Sequence, residues 1–308
     1  MFTSAPSSTT LPWRRRVALA VALGAPLFAL AIGARTFRRE LAYYRPKRRA
    51  IARPTSGALA HARDFRFGRG DTLRGWFVPP RNGAAVIFLH GSGADRTQLL
   101  PEAELLATHG FGVLVYDSPG HGESAGVPTW DAPERAALDA ALDALSAEPL
   151  VDPHKIGVFG FSAGSTVATQ VAAGDTRVRA LVLAGTYAEP AELTRYQNRR
   201  WGVLSELPAL WADAWAGSAL ETLRPRDVIA FLSPRPLLVL CGENDQVVPR
   251  EQTERLFDAA REPKTLIVVP DAGHGDFLQA QPALVGPALL DFFTRNLEVR
   301  PRAAASGD

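Results

Sequence analysis

A serine stands at the centre of a Gly-x-Ser-x-Gly pentad at residues 160–164, and here the chain could carry a nucleophile. An apolar run at 155–159 predicts a strand before the pentad, and small residues at 163–173 predict a helix after it. That order of strand, sharp turn and helix is typical of a nucleophile elbow, which holds a serine exposed in a strained turn. The free amides at the helix N-terminus favour an anionic oxygen beside Ser162.

The pentad alone also fits an ordinary turn between a strand and a helix. A working nucleophile needs an oxyanion loop before it, then an acid and a histidine after it, in the chain order Ser, Asp, His. Residues 90–93, His-Gly-Ser-Gly, follow the apolar run Ala85–Leu89. We expect the amides of Ser92 and Ala163 to form the oxyanion hole, where a donor contributes about 3–4 kcal/mol. The alternative for this loop is a simple glycine-rich strand exit.

The acid is expected in the loop at residues 242–249, which follows a predicted strand at 236–241. Asp245 is the first choice because it lies just past the strand, and Pro249 fits the start of the next helix. Glu243 in the same loop and Glu189, which follows the preceding strand, are the alternatives.

His274 lies between two glycines in the loop after a predicted strand at 265–269. A lone loop histidine is usually a surface residue, but this one occupies the only position that the triad order allows. Asp117 and His121 lie in another loop, where we expect them to hold a tight turn together rather than do chemistry. The hypothesis is therefore a triad of Ser162, Asp245 and His274.

The chain from about residue 62 alternates predicted strands and helices. Arg63–Phe67 and Leu73–Val78 predict an antiparallel hairpin, and continuous apolar runs such as Ala85–Leu89 and Gly112–Tyr116 indicate strands buried on both faces. We predict an α/β fold with a mostly parallel, doubly wound sheet, the hairpin on one edge and helices at 99–109, 132–146, 163–173, 251–260 and 283–297. Ligand groups should collect at the carboxyl ends of the strands.

Taken together, these segments resemble the α/β-hydrolase superfamily, and specifically its lidded esterase and serine aminopeptidase-like branch, which includes membrane-anchored bacterial members. The resemblance covers about residues 62–297 and rests on segments 90–93, 117–124, 160–164, 242–249 and 273–274. It implies an α/β-hydrolase fold and a serine triad, and is poorly specific for the substrate.

We expect hydrolysis of a carboxylic ester or related acyl compound through an acyl-serine intermediate. Amide, peptide or thioester hydrolysis with the same triad is one alternative. A non-catalytic, membrane-tethered binding protein on a hydrolase fold is another, and it should lack a triad member.

Residues 186–233 join two predicted strands through about 50 residues, far more than the usual connection of 2–6. In the resembling family this place holds a helical lid over the active site. Trp201, Trp211 and Trp215 lie in this segment. They either bind an acyl or aromatic substrate or attach the lid to the body, and both interpretations stay open.

Composition limits the cofactors and partners. The single cysteine, Cys241, excludes an intramolecular disulfide, and no Cys, His and carboxylate cluster has metal-ligand spacing, so no metal or organic cofactor is expected. Residues 1–53 hold 11 of the 34 Lys and Arg and one of the 32 Asp and Glu, a formal charge of +10, which leaves −8 for the remainder. The basic arm adjoins an apolar span and no nucleic-acid-binding fold follows, so nucleic acid is not an expected partner.

Residues 17–34 carry no charge and are flanked by basic residues, which predicts a membrane anchor at the short end for a bilayer core of about 30 Å. A cleaved signal peptide is the rival because residues 31–33 form a small-x-small site, although the apolar run exceeds a usual signal core of about 7–15 residues. We predict disorder at residues 1–16, a basic linker at 35–61 and a tail at 298–308. The core is expected not to depend on residues 1–53.

The orientation of the anchor follows from the flanking charges. Three arginines precede the predicted span and eight basic residues closely follow it, so the positive-inside bias favours a catalytic domain on the cytoplasmic face. The leader-like basic start favours the opposite, periplasmic or extracellular, face. The basic arm also fits a position along anionic headgroups, where each basic residue contributes about 1 kcal/mol.

Overall fold

An eight-stranded sheet runs through the part of the chain that the computed structural model describes, residues 12–46, 48–70, 72–218 and 224–298. Its order across the sheet is β1-β2-β4-β3-β5-β6-β7-β8. The first two strands are antiparallel to their neighbours and the other six are mutually parallel, which confirms the predicted α/β fold with an edge hairpin. The strands are β1 (Arg63–Phe67), β2 (Leu73–Val78), β3 (Ala85–Leu89), β4 (Gly112–Tyr116), β5 (Ile156–Phe161), β6 (Val178–Ala184), β7 (Leu237–Gly242) and β8 (Lys264–Val269).

Helices cover both faces of this sheet. All helices of the described residues, including those that do not lie on the sheet, are α1 (Trp13–Tyr43), α2 (Leu100–Thr108), α3 (Ala132–Ser146), α4 (Ala163–Gly174), α5 (Pro190–Gln197), α6 (Val203–Trp215), α7 (Pro225–Val228), α8 (Arg250–Ala259), α9 (Phe277–Ala280) and α10 (Pro282–Asn296). Side chains alternate across β3, so Phe88 packs in one layer with α2 and α10, and Ile87 packs in the other with α3, α4 and α8. The sheet is therefore a buried scaffold whose loops can hold functional groups.

The N-terminal helix α1 is longer than the predicted span. It runs for 31 residues from Trp13, so residues 13–16 are helical rather than disordered, while residues 1–11 and 299–308 lie outside the described residues. Its length corresponds to about 46 Å at 1.5 Å per residue. Among the helices of the described residues, α1 is the one that is long and apolar enough to cross a membrane. Membrane anchors and signal sequences share this property.

Residues 35–61 do not form a free linker, and this boundary of the prediction is wrong. The helix continues to Tyr43, and Thr36, Glu40 and Tyr44 are buried at a spacing of four residues, which places them on one face, against the helices between β6 and β7. Further on, Arg49 pairs with Asp95 at 2.7 Å, and a short 3-10 helix, Ala58–His61, follows. The buried core on the two faces of the sheet begins at Leu59, with Ile51 packed against it, so the independence of the core from residues 1–53 stays a prediction.

The long connection between β6 and β7 forms a separate helical layer above the carboxyl ends of the strands. It contains α5, a 3-10 turn at Arg199–Trp201 and α6, whereas α7 and a second 3-10 turn at Ile229–Leu232, in the same connection, pack on α4 and α8 in the body. Residues 219–223 within it lie outside the described part. We call this layer the lid, and helix α6 of the lid packs lengthwise on α1.

Candidate active site

Ser162 lies between β5 and α4 in a strained backbone conformation, with φ +50° and ψ −121°. The flanking glycines make this turn sterically accessible. A Cβ at Gly160 would lie 2.7 Å from the Cα of Ser165, and one at Gly164 would lie 2.6 Å from the carbonyl oxygen of His90. The turn is therefore as tight as the sequence predicts, and it presents the Ser162 hydroxyl to a cavity above the sheet.

The structure brings the other two predicted triad residues to this hydroxyl. Nε2 of His274 lies 3.1 Å from Oγ of Ser162, and Nδ1 of the same ring lies 2.7 Å from Oδ2 of Asp245. The Asp245 side chain is 3% exposed, and its other oxygen accepts the backbone N–H groups of Val247 and Val248 at 2.8 and 2.9 Å. The aspartate is thus fixed on one oxygen and directed at the histidine with the other.

The two alternative acids are engaged elsewhere. Glu189 is 6% exposed and pairs with Arg226 at 2.5 Å, while Glu243 accepts the backbone N–H of Asp271 at 3.2 Å. In the described part of the chain neither is placed on the His274 ring. Asp245 is therefore the carboxylate that the geometry associates with the histidine.

The loop between β3 and α2 contains Ser92, whose backbone amide is one of the two expected donors of the oxyanion hole. The N–H of Gly91 donates to Oε1 of Gln98 at 2.8 Å, and the N–H of Gly93 donates to Nε2 of His121 at 3.3 Å. The N–H of Ser92, which lies between them, keeps no such partner among the described residues. Ser92 and Ala163, the first residue of α4, both line the cavity beside Ser162.

Two buried histidines order this loop, and for His121 the sequence already predicted a structural role. His90 and His121 are buried edge to face, with ring centroids 4.9 Å apart. Burial lowers the pKa of His90 to about 3 and also lowers that of His121, so both rings are neutral at pH 7 and their Nε2 atoms accept hydrogen bonds. His90 accepts the N–H of Ser118 at 3.0 Å, and His121 accepts that of Gly93.

Asp117 has the structural place expected of it. Its two oxygens accept the backbone N–H groups of Arg96 and Glu123 at 2.8 and 2.9 Å, and the Arg96 guanidinium lies 3.3 Å away. These contacts tie two loops together beneath the oxyanion loop.

The cavity at Ser162 has a volume of about 430 Å³. Its walls come from three parts of the chain. The body contributes residues such as Gln98 and Phe161, and the lid contributes residues such as Leu193 and Asp213. The third wall comes from the end of α1, where Arg39, Glu40, Tyr43 and Tyr44 face the cavity.

Comparison with known proteins agrees with this architecture. The sequence profile of the Alpha/beta hydrolase family matches residues 86–288, about two thirds of the chain. The chain belongs to the alpha/beta hydrolase family. An uncharacterized protein of Mycobacterium tuberculosis is 33% identical to this hydrolase over 267 residues, which cover 82% of this chain and 87% of the relative.

More distant relatives carry functional names. The polyketide transferase GrgF of Penicillium is 26% identical over 278 residues, which cover 74% of this chain and 94% of the relative. A solved structure of an esterase from Pyrococcus furiosus superposes with a TM-score of 0.70 at 22% identity, covering 82% of this chain and 97% of that chain. At this identity the superposition shows a shared fold.

The three lid tryptophans do not line the cavity that contains Ser162, so their binding of substrate stays a prediction. Trp201, Trp211 and Trp215 are 45%, 63% and 68% exposed. The first two instead contact α1, with ring centroids 5.5 Å from Phe28 and 5.0 Å from Phe37. Trp201 and Trp211 therefore attach the lid to the N-terminal helix, and Trp215 packs on Trp211.

A buried polar cluster joins α1 to the lid at the edge of the cavity. The Tyr44 hydroxyl and the Thr194 hydroxyl each donate to one carboxylate oxygen of Asp213, at 2.9 Å. The Asn198 amide donates to Glu40 at 3.3 Å and accepts a hydrogen bond from Arg39. Sequence reasoning missed these cavity residues because a helix face that buries a threonine, a glutamate and a tyrosine looks polar.

We predict that Asp213 makes the stability of this joint depend on pH. Burial raises the pKa of Asp213 from its ordinary value of 3.8 to about 6, against the hydrogen bonds from Thr194 and Tyr44. The folded protein therefore holds this proton more tightly than the unfolded chain does. The stability that protonation contributes is complete below pH 3.8 and is lost as the pH rises towards 6. The Asp213→Asn variant, which cannot ionise here, should lose that dependence.

The measurement is the apparent Tm of the detergent-solubilised protein between pH 4 and pH 7. The Tm of Asp213→Asn minus that of the wild type should increase with pH, even where Asn weakens one hydrogen bond at every pH. Asp258→Asn, at an exposed position of α8, is the matched control and should show a flat difference. A flat difference for Asp213→Asn as well would contradict the prediction.

Proposed function

We propose that this protein is a serine hydrolase that cleaves a carboxylic ester or a related acyl compound through an acyl-serine intermediate. The observation that carries the proposal is the chain of hydrogen bonds from Asp245 through His274 to Ser162 at the wall of the cavity. Ser92 and Ala163 line the cavity beside it, and in this proposal their backbone amides donate to the oxyanion of acyl transfer.

In the first half of the reaction Oγ of Ser162 attacks the carbonyl carbon of the substrate, and Nε2 of His274 takes the serine proton. The carbonyl oxygen becomes an oxyanion and is held by the Ser92 and Ala163 amides. Asp245 accepts the Nδ1–H of His274 and stabilises the imidazolium. When the tetrahedral intermediate collapses, Nε2 returns the proton to the leaving alcohol, and the acyl group remains on Ser162.

In the second half water takes the place of the alcohol. His274 removes a proton from the water, the resulting nucleophile attacks the acyl carbon, and a second oxyanion forms in the same hole. Its collapse breaks the bond to Oγ, and Nε2 returns the proton to Ser162. The products are the carboxylic acid and the free enzyme.

In this proposal the bond that is cleaved is an ester. Hydrolysis of an amide, peptide or thioester bond is the alternative, and it would use the same catalytic residues. The Pyrococcus neighbour is an esterase by name, whereas GrgF is named as a transferase, in which another acceptor can replace water. A non-catalytic binding protein has no use for an intact Ser162, His274 and Asp245 relay. The complete relay therefore favours an enzyme.

We also propose that α1 is a retained anchor with the catalytic domain on the cytoplasmic face. The helix passes without a break through the small-x-small segment at residues 31–33, and its contacts with the lid lie on both sides of that segment, at Phe28 and Phe37. Cleavage there would remove part of the packing surface of the lid. The excess of arginines after the span supports the cytoplasmic face.

The proposal predicts the order of activities on substrates with one acyl group and three leaving groups. The purified full-length protein in detergent should hydrolyse a short-chain alkyl ester faster than the matched thioester and anilide. A preference for the anilide or the thioester would replace the ester assignment, and no turnover with no fluorophosphonate labelling would favour the non-catalytic alternative. A membrane-impermeant form of the probe should label permeabilised cells and spare intact ones if the domain is cytoplasmic.

A further inference from the structure

The lid lies along the C-terminal half of α1, and three contacts define their alignment. Trp201 meets Phe28 edge-on, and Trp211 packs on Phe37 further along the helix. Between them α1 comes close to α6, since a Cβ added at Gly33 would lie 3.4 Å from Cγ of Pro208. The two helices therefore run side by side, and the start of α6 is level with the apolar part of α1.

This alignment fixes the depth of the lid if α1 is in a bilayer. The uncharged segment at residues 17–34 is the part that fits the hydrocarbon core. Phe28 lies six residues inside the C-terminal end of that segment, a depth of about 9 Å at 1.5 Å per residue. Its ring contact with Trp201 carries the first turn of the lid to a similar depth.

The exposed side chains of the lid suit that environment. We define the outer lid surface as the exposed apolar residues of the 3-10 turn and α6 that face away from the body, each between 40% and 68% exposed: Trp201, Val203, Leu204, Leu207, Trp211 and Trp215. Exposed apolar side chains of α1, such as Val21, Leu27 and Leu30, continue this surface. A contiguous apolar surface of this kind indicates an interaction site, and tryptophan is enriched where proteins meet the membrane interface.

Basic residues border the outer lid surface. Arg199 and Arg200 precede Trp201 and are exposed, and Arg35 and Arg38 are exposed on α1. Such residues attract anionic headgroups, and arginine can extend its guanidinium towards them while its stem stays in an apolar region. The charges thus complement a lipid surface rather than an apolar protein partner.

A groove between α1 and the lid leads from this surface towards the catalytic cavity. It has a volume of about 390 Å³ and is lined on the α1 side by apolar residues at one end, Phe28, Ala31 and Ile32, and by polar residues at the other, Arg35, Thr36 and Arg39. Trp201 and Ser205 line the lid side. Arg39 and Gln197 line both this groove and the cavity that contains Ser162.

We propose that the outer lid surface is immersed in the lipid bilayer beside α1, and that the groove passes the acyl chain of a bilayer-resident ester to Ser162. Immersion of the lid follows from the helix contacts and does not depend on the proposed function. The passage of the acyl chain rests on the proposed function and names its substrate class, which is a lipid-like ester that stays in the membrane during access.

The first test measures immersion directly in the full-length protein reconstituted into phosphatidylcholine and phosphatidylglycerol vesicles. Leu207 and Leu150 are matched positions, at 62% and 61% exposure, and Leu150 precedes β5, at the amino ends of the parallel strands and so on the side away from the lid. Cys241 is buried, at 3% exposure, so the fluorophore should react with a cysteine introduced at either of these exposed positions and not with Cys241 in the folded protein. An environment-sensitive fluorophore on Leu207→Cys should be quenched by spin-labelled lipid, and one on Leu150→Cys should not.

Two results of that test would overturn immersion. Equal, weak quenching at both positions would place the lid in water. A blue-shifted but unquenched fluorophore at position 207 would mean that a second copy or another protein covers the surface.

The second test measures the acyl-chain route by activity. Leu207→Glu should hydrolyse a water-soluble short ester in detergent as the wild type does, because Leu207 does not line the cavity. On a long-chain ester embedded in vesicles it should lose about tenfold, the factor given by the lost burial of one leucine side chain. Leu150→Glu should lose neither activity.

The outcomes separate the two ideas. If the wild type hydrolyses no ester at all, the proposed function fails while the quenching test still decides immersion. If Leu207 is immersed but Ala31→Trp, whose side chain would fill the groove, keeps full activity on the vesicle substrate, the route through the groove is overturned.

Discussion

Replacing Ser162 by alanine is expected to reduce ester turnover by about 10⁶-fold, the size of effect seen when a triad nucleophile is removed. The substitution removes Oγ, which lies 3.1 Å from Nε2 of His274, and leaves no atom that can form the acyl intermediate. Alanine keeps the Cβ and the same backbone preferences, so the strained turn at φ +50° is retained and the fold should be unchanged.

The measurement combines kcat on a short-chain ester with covalent labelling by a fluorophosphonate probe. Ser165→Ala is the matched control. Its hydroxyl is buried, donates to the backbone oxygen of Ser162 and pairs as an acceptor with the Thr186 hydroxyl, away from the cavity. The control should still be labelled at one site. Undiminished labelling of Ser162→Ala would show that the nucleophile lies elsewhere.

Much of the fold and of the candidate site could be predicted from the sequence because the signals are local and their order is fixed. Strands such as Ala85–Leu89 are continuous apolar runs, and the loops that follow them carry glycine, aspartate or histidine. In a parallel sheet the carboxyl ends of all strands meet at one edge, so residues more than 100 positions apart, such as Ser162 and His274, are expected to meet. The structure places them within 3.1 Å.

The role of α1 could not be predicted from the same signals. The high density of basic residues at 35–53 favoured the interpretation of a solvated arm. The burial of Glu40 and Tyr44 depends on Asn198 and Asp213 of the lid, which lie more than 150 residues away in the chain. The spacing of polar and apolar residues along one helix does not predict which distant helix will pack on it. The third wall of the cavity therefore emerged only from the tertiary structure.

The orientation of the lid was missed for a related reason. Helix α6 is apolar on most of its surface. One face packs against α1 and the body, and the other face is exposed although it also carries leucine and tryptophan side chains. In a soluble protein such a helix is expected to be buried all round. A surface that faces lipid has the same composition as a core, so Trp211 and Trp215 could not be assigned to one or the other from sequence.

Replacing Asp245 by asparagine is expected to lower kcat by about 10⁴-fold, as when the aspartate of a serine triad is replaced in this way. The structure gives a specific reason. The Val247 and Val248 N–H groups donate to Oδ1 of Asp245, so in the variant the amide oxygen should keep that position and the NH₂ group should face His274. An NH₂ donor there requires Nδ1 to be an acceptor, which moves the ring proton to Nε2, where it blocks removal of the Ser162 proton.

The controls are Glu243→Gln and Glu189→Gln, at the two other acids considered for this role. Because neither is placed on His274 in the described structure, each should keep kcat near the wild-type value, and Glu189→Gln should instead lower the apparent Tm through loss of its ion pair with Arg226. Measuring kcat and the apparent Tm for all three variants separates loss of the imidazole tautomer from loss of folding. A larger fall in kcat for either glutamine variant than for Asp245→Asn would mean that another carboxylate orients the histidine during turnover.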